Sequence, residues 1–416
     1  AFPSRALRRG FAMSEIVDLL IVGGGINGAG LARDAAGRGL SVILCEKGDL
    51  GEGTSSRSGK YIHGGLRYLE YYEFRLVREA LIEREILLRM APHLIFPMRL
   101  VITHNQGLRP AWLLRLGLFL YDHLGGRELL PGTRALQLRR DPAGRALQER
   151  YTRAFEYSDC WVDDARLVIA NAQDAHERGA QIHVRHAFAG AQRQGDHWVA
   201  QLRSEAAAAA PRTVRAKTIL NAAGPWVEQA LSCIHGVRST KRVRLVKGSH
   251  IITRKFWDGP QAYVIQHTDK RILFINPYLD DLALIGTTDV AYEGDPADVQ
   301  ADAQEIRYIC DAVNAYFHHQ LDPEQVLLAY SGVRPLYPDL PSDLLRHHAR
   351  LYGTRASRVL GDARTLADLG QHFGGLCHER ELRYLMAHEW AQTSEDLLWR
   401  RTKHCLRLSA AEQAQV

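Results

Sequence analysis

Gly23, Gly25 and Gly28 stand in the spacing GxGxxG, within the segment GGGINGAG. In this pattern the first glycine permits a tight turn, and the second lets backbone N–H groups approach a pyrophosphate. The third lets a helix pack closely on a strand. A helix that begins near Ile26 and Asn27 turns its partly positive N-terminus toward those phosphates. Glu46 lies eighteen residues beyond Gly28, close to the spacing at which a carboxylate accepts ribose hydroxyls. The chemistry this predicts is dinucleotide binding, against a plain glycine turn as the bland alternative. On these residues alone, FAD and NAD both remain open.

The flanking elements must hold that loop. Ile16–Val22 (IVDLLIV) is apolar on both faces, as a strand inside a parallel sheet is. Leu31–Arg38, with Ala32, Ala35 and Ala36, reads as a helix that Gly39 ends, and Leu40–Cys45 as a second strand closed by Glu46. Strand, helix and strand make a β-α-β unit of about thirty residues. Glu70–Met90 predicts an amphipathic helix, with Pro92 as its stop. Leu167–Arg178 reads as helix, Gln181–Arg185 and Thr218–Ala222 as short strands, and Ser204–Pro211 as a low-complexity surface connection. Lys247–Thr253, Arg271–Pro277 and Leu282–Thr287 suggest an antiparallel sheet forming a second layer or cap. Leu382–Trp390 and Leu397–Leu406 are the clearest helical stretches near the end.

With 416 residues the chain is too long for one ordinary core. Its hydrophobic share of 46% and charged share of 24% suit a soluble globular protein. The net charge of +6 is spread along the chain, which argues little for nucleic acid, and no nucleic-acid partner is expected. It suits an anionic lipid surface or an anionic substrate. The six cysteines are irregularly spaced with no CxxC pair, and predict free thiols in a reducing compartment. No metal-ligand spacing appears, so no metal is expected. No stretch reaches the ~20 apolar residues of a spanning helix. Pro110–Gly125 (PAWLLRLGLFLYDHLG) reads either as a half-buried helix or as an interfacial segment with Trp112 and Phe119 near lipid. Residues 1–12, with three arginines and no acid, read as a disordered leader ahead of Met13.

A second set of motifs follows in order: Thr54–Lys60 (TSSRSGK), Ile62–Leu69 (IHGGLRYL), Phe155–Ala165 (FEYSDCWVDDA), Asn221–Trp226 (NAAGPW), Lys247–His250 (KGSH), Gly286–Asp289 (GTTD) and Tyr330–Pro335 (YSGVRP). Together they closely resemble the FAD-dependent glycerol-3-phosphate dehydrogenases, within the wider glycine/D-amino-acid-oxidase-like flavoproteins. The resemblance runs from about Val17 to Leu336 and resumes from about Tyr337 to the end. It implies an α/β fold: a discontinuous Rossmann-like FAD-binding domain, a mainly antiparallel β-sheet substrate cap and a C-terminal α-helical domain. The expected boundaries are 13–336 for the oxidoreductase region, with the cap mainly at about 92–150 and 235–320, and 337–416 for the helical domain.

The residue chemistry agrees with FAD. The hydroxyls of Thr54, Ser55, Ser56 and Ser58 suit the FAD phosphates, and Lys60 suits charge neutralisation nearby. His63, Gly64 and Gly65 offer a backbone that can approach a flat ring, and Gly224 belongs to the same expected cradle. By the resemblance, Arg67 and Tyr68 bind substrate, and His250 is a substrate-site residue and proton acceptor, its ordinary pKa being near 6.5. Arg334 is the best fixed cation, since a guanidinium suits bidentate binding of a phosphate or oxyanion. For Asp159, Asp163 and Asp164, capping or ion pairing is expected.

The implied reaction oxidises sn-glycerol 3-phosphate to dihydroxyacetone phosphate, with hydride passing to FAD and electrons to a membrane quinone. The implied location is the cytoplasmic face of the inner membrane, bound peripherally, and a homodimer is compatible with all of this. One departure stands out. After Leu336 the family continues through a domain-scale stretch, with a further arginine and a GGK-(L/I)-TTYR motif, that is missing here. The stretch is either missing from this sequence alone, truly deleted, or lost in a decaying copy. The alternatives to the dehydrogenase are an oxidase that uses O₂, and a flavin-free remnant that only binds a membrane or a partner.

Overall fold

Ile16–Val22 is the spine of a six-stranded sheet. Its order is Gln181–His183, Val42–Cys45, Ile16–Val22, Arg212–Asn221, His197–Ser204, His186–Gln194. The first four strands run parallel, and the last two add antiparallel. Val42–Cys45 is buried along its whole length, as the unbroken apolar run anticipated. Helix Ile26–Gly37 starts five residues earlier than its alanine run suggests, because the glycine loop itself supplies the first turn. Ala32, Ala35 and Ala36 sit in one core with Ala175 of helix Asp164–Glu177. Such small side chains let the helices approach closely.

The structure, a computed structural model, describes residues 15–104, 110–204, 210–237, 243–266, 269, 271–336, 342–361, 363 and 366–416. The expected leader, residues 205–209 of the low-complexity connection and residues 337–341 at the break in the motifs lie outside them.

A second sheet of ten strands runs Val290–Tyr292, Arg244–Arg254, Leu282–Gly286, Ile272–Tyr278, Ala262–Gln266, Ile95–His104, Arg153–Val162, Tyr61–Ile62. Leu328–Leu336 pairs with Arg244–Arg254, and Arg134–Gln137 with Arg153–Val162. Along the path every pairing is antiparallel except Ala262–Gln266 with Ile95–His104. One core on this sheet takes Ile309 and Val313 of helix Ala303–Asn314 against Tyr263 and Phe317. Another takes Val77 and Leu81 of helix Phe74–Met90 and Leu118 and Tyr121 of helix Ala111–Leu124. The helix expected from Glu70 begins instead at Phe74, after the 3-10 turns of Leu66–Tyr71. Tyr72, at φ 59°, breaks the run.

The chain divides into two units, one of residues 1–236 and 245–335, the other of residues 237–244 and 336–416. The second has its own core, which includes Tyr352, Phe373, Cys377, Leu382, Leu385 and Leu398. The helix expected over Leu397–Leu406 is not continuous there. A π turn covers Asp396–Arg401, Thr402 donates its hydroxyl to the Leu397 carbonyl at 2.7 Å, and Lys403 takes φ 64° before a 3-10 turn over His404–Leu406. The hydroxyl competes for the helix's own carbonyl, and the positive φ ends the run. Among the described residues no helix is long and apolar enough to cross a membrane, and no cysteine is paired.

Candidate active site

The glycine loop works through its backbone. Gly23 has φ 110°, and a Cβ there would lie 2.5 Å from the Ala222 carbonyl oxygen. A Cβ on Gly28 would lie 1.8 Å from the Gly23 carbonyl oxygen, so only glycine lets the helix meet the strand end. Gly25 is the N-cap of helix Ile26–Gly37 and supplies no side-chain cap, and no acid sits in the first turn. Ile26 and Asn27 stand exposed at that positive end. Ser55 Oγ accepts from the Ile26 amide at 3.0 Å. An oxygen thus already sits where a phosphate oxygen would be received, which is the fit a dinucleotide diphosphate needs. Glu46, half-buried at the end of the next strand, accepts from the amides of Gly24 at 2.6 Å and Gly48 at 2.8 Å. Its carboxylate is thereby held at the loop's edge, where ribose hydroxyls belong. Gly224, at φ 54° with open space around it, opens the turn that follows Asn221, next to Ala222 and the loop.

The hydroxyl segment divides its tasks. Thr54 donates to the Val333 carbonyl at 2.6 Å, tying this loop to the strand that carries Arg334. Ser58 donates to Asp164 at 2.7 Å, and Lys60 pairs with the other oxygen of Asp164 at 2.7 Å. Lys60 also donates to the Ser56 carbonyl at 3.4 Å. Lys60 and Ser58, expected to face phosphate, are thus directed at a nearly buried carboxylate. The three acids behave as expected: Asp163 caps helix Asp164–Glu177, Asp164 holds Lys60 and Asp159 holds Arg84.

His250 lies on strand Arg244–Arg254, 6% exposed, with its ring stacked on Tyr330 at 5.2 Å between centroids. Its Nδ1 is buried without a partner, and its Nε2 faces Gly59. Burial, then the charges of Arg334 and Lys60, push its pKa down to about 3. The imidazole is therefore neutral at pH 7 and far less basic than its ordinary value suggested. Arg334, 43% exposed, pairs with Asp289 and donates to the Thr288 carbonyl at 3.4 Å. Tyr330 thus stacks on His250, and the charges of Arg334 and Lys60 reach its imidazole. Arg67 and Tyr68 stand exposed on the turn Leu66–Tyr71, and the Tyr68 ring lies over Gly65.

Two buried networks that sequence reasoning missed hold these pieces. Tyr121 accepts from the Gly64 amide at 2.7 Å and donates to Asp159 at 2.8 Å, and Arg84 pairs with Asp159 at 2.6 Å. The backbone after His63 is thereby pinned from behind. In the other network Glu305 receives Lys247 at 2.7 Å, Ser249 at 2.8 Å and Thr288 at 2.9 Å, and Ser249 meets Ser331 at 2.7 Å. It binds the strands of His250 and Arg334 to the GTTD turn. The hint was present in KGSH and GTTD, whose polar residues alternate into a buried face.

The fold and the glycine cradle define a dinucleotide-dependent oxidoreductase. The model of the family described as FAD dependent oxidoreductase matches residues 18–355, and the chain belongs to that family. It is an FAD-dependent enzyme of the group that includes the glycerol-3-phosphate dehydrogenases. The chain is 49% identical to the D-erythritol 1-phosphate dehydrogenase of Brucella abortus (strain 2308), over 97% of each chain. It is 40% identical to the aerobic glycerol-3-phosphate dehydrogenase of Escherichia coli (strain K12), again over 97% of each. Those alignments span 489 and 488 positions, more than the 416 residues here, so the relatives hold residues inside the aligned span that have no counterpart in this chain. Among solved structures, the glycerol-3-phosphate dehydrogenase of Bacillus halodurans complexed with FAD shares the fold. Its TM-score is 0.63 at 22% identity, over 97% of this chain and 89% of that one.

Proposed function

We propose that this protein oxidises a short polyol phosphate, with glycerol 3-phosphate giving dihydroxyacetone phosphate as the first reading. The observation that carries it is the half-exposed Arg334 guanidinium beside a neutral, buried His250. Arg334 receives the anionic substrate, and Arg67 and Tyr68 close on it from the exposed turn. His250 accepts the proton of the reacting hydroxyl. An anion beside Arg334 cancels one of the two charges that depress the imidazole, so substrate binding itself raises its proton affinity. Bound FAD supplies the two-electron oxidant for the carbinol carbon. The cradle residues for it are Gly23, Gly25, Ile26, Asn27, Gly28, Glu46, Thr54, Ser55, Ser56, His63, Gly64 and Gly224. Ser58 and Lys60 act on the cradle through Asp164.

The mainly antiparallel sheet serves as the substrate cap, drawing on residues of about 92–150 and 235–320, and residues 337–416 form the helical domain. The 49% identity to a relative named for D-erythritol 1-phosphate favours a four-carbon substrate as the second reading. Electrons leave to a membrane quinone, with the protein bound peripherally to an anionic lipid surface. Trp112, Leu116 and Phe119 support this, since they form one exposed apolar stripe on helix Ala111–Leu124, with Trp112 68% and Phe119 55% exposed.

Anaerobic mixing of the flavin-loaded protein with each sugar phosphate tests the substrate. Bleaching of the flavin band by glycerol 3-phosphate, and not by glycerol, is the expected result. Faster bleaching by D-erythritol 1-phosphate would move the assignment to the second reading, and no bleaching by either would reject both. Reoxidation by a soluble quinone faster than by O₂ is expected for the dehydrogenase, and the reverse order for an oxidase.

A further inference from the structure

The second unit gathers imidazoles around one buried carboxylate. Helix Ser342–Tyr352 carries His347 and His348, helix Glu379–His388 carries Glu381, and the turn His404–Leu406 carries His404. His347 Nε2 lies 2.7 Å from Glu381 Oε1, His348 Nε2 lies 3.7 Å from the same oxygen, and His404 Nε2 lies 2.8 Å from Oε2. The ligand atoms of His347, His348 and Glu381 all fall within 4.8 Å of one another. Glu381 and His348 are each 1% exposed and His404 is 5% exposed.

His348 is the telling residue. Both of its ring nitrogens are buried with no hydrogen-bond partner. A neutral imidazole has one donor and one acceptor, and burying both unmet is costly. Its Nε2 points at the carboxylate from beyond hydrogen-bond reach, as a ligand does when an ion belongs between them. Two ligand atoms on a tetrahedral zinc ion stand roughly 3.3 Å apart, from bond lengths of about 2.0–2.1 Å. At Glu381 Oε1 the separations of 2.7 Å from His347 and 3.7 Å from His348 bracket that spacing, while His404 lies 2.8 Å from the other oxygen, Oε2.

We propose that the second unit holds a divalent zinc-class ion, bound by His347, His348, His404 and Glu381. Nitrogen ligands with one carboxylate suit zinc and its transition-metal neighbours, whereas calcium and magnesium seek oxygen donors alone. Four protein ligands and deep burial leave no open position for substrate, so the role is structural. Tyr352 donates its hydroxyl to Glu381 Oε1 at 2.7 Å and orients the carboxylate from outside, as outer partners of metal ligands do. The ion joins two helices and the closing turn across the core of Tyr352, Leu382 and Leu385. Its three anchoring points lie far apart in sequence, which is why no ligand spacing is visible there.

The test uses the full flavin-loaded chain, with metal content measured by mass spectrometry as purified and after exposure to excess zinc followed by gel filtration. One zinc per chain is expected. Glu381→Gln and His348→Gln lose it, exposed His388→Gln keeps it, and Tyr352→Phe weakens zinc affinity by about 10- to 100-fold. Chelation lowers the melting temperature while FAD stays bound. X-ray absorption at the zinc edge of the unmutated chain reads nitrogen and oxygen ligands with imidazole scattering, and decides the matter even if the variants fail to fold. An unmutated chain without stoichiometric zinc after loading, sulfur in the ligand shell, or full zinc retention in both ligand variants overturns the proposal.

Discussion

In the glycine loop the backbone supplies the polar groups, and side chains matter mainly by being absent. At the His250 face the side chains are the chemical groups, and the backbone brings them together from two paired strands, Arg244–Arg254 and Leu328–Leu336, and from the loop that carries Lys60. Crowding at Gly28 is absolute, because a Cβ would meet a carbonyl oxygen that cannot move aside. The setting of His250 is graded, since its pKa responds to burial and to two separate charges. The loop should therefore tolerate almost no change, and the face should respond in steps.

The largest expected effect lies outside both regions, behind the Gly64 backbone. Asp159→Asn leaves the buried Arg84 without its close partner, a loss of about 3–5 kcal/mol for a broken buried pair. The lower end applies, because Glu85 lies 4.0 Å from Arg84. Guanidinium unfolding measures it, and a loss below about 1 kcal/mol would mean that this network does not hold the Gly64 backbone.

Arg334→Ala comes next. Losing a charge-assisted bidentate contact should lower sugar-phosphate turnover about ten- to hundredfold, or roughly 1.5–3 kcal/mol. Stability should barely change, because its partner Asp289 is itself half exposed and surface pairs contribute little. Arg334→Lys should rescue only in part. If the residues absent after Leu336 include a needed cation, the unmutated chain turns over poorly and Arg334→Ala changes little. Flavin-reduction rates in these chains and in one with the family segment restored separate the cases, and equally fast reduction in all would remove both roles.

Gly28→Ala tests the other side of the comparison. Overpacking against the Gly23 carbonyl should cost about 1–3 kcal/mol and empty the site of FAD. Gly25→Val should empty it with less damage to stability, since the nearest atom to a Cβ there is the movable Ser55 Oγ at 3.0 Å. Flavin absorbance per chain, read beside urea melts, distinguishes the two, and full flavin content in either would mean that this loop does not hold the diphosphate.

The most gradual effect is in pH, because it accrues only as the pH falls. The folded pKa of His250, about 3, is below the unfolded value near 6.5. Between those values the unfolded chain binds the extra proton, so stability is complete above about pH 6.5 and falls as pH drops toward 3, by up to about 1.4 kcal/mol per pH unit. His250→Gln should flatten that slope between pH 6.5 and 5, and an unchanged slope in urea titrations would place the titrating group elsewhere.

The amino-acid sequence by itself determined the strand, loop and helix of the cradle, with Glu46 at its edge. A β-α-β unit is built from neighbouring residues, so spacing along the chain becomes spacing in space. The sequence pointed to His250 and Arg334 only through the resemblance, since a strand histidine and a lone arginine carry no local signature. Only the tertiary structure decided that Lys60 faces Asp164 rather than open phosphate space, that Asp289 holds Arg334, and that burial makes His250 a weak base. It alone brought His347, His348, Glu381 and His404 together. Those contacts join residues dozens of positions apart, and both pKa and ion pairing depend on distance and dielectric, which exist only once the chain has folded.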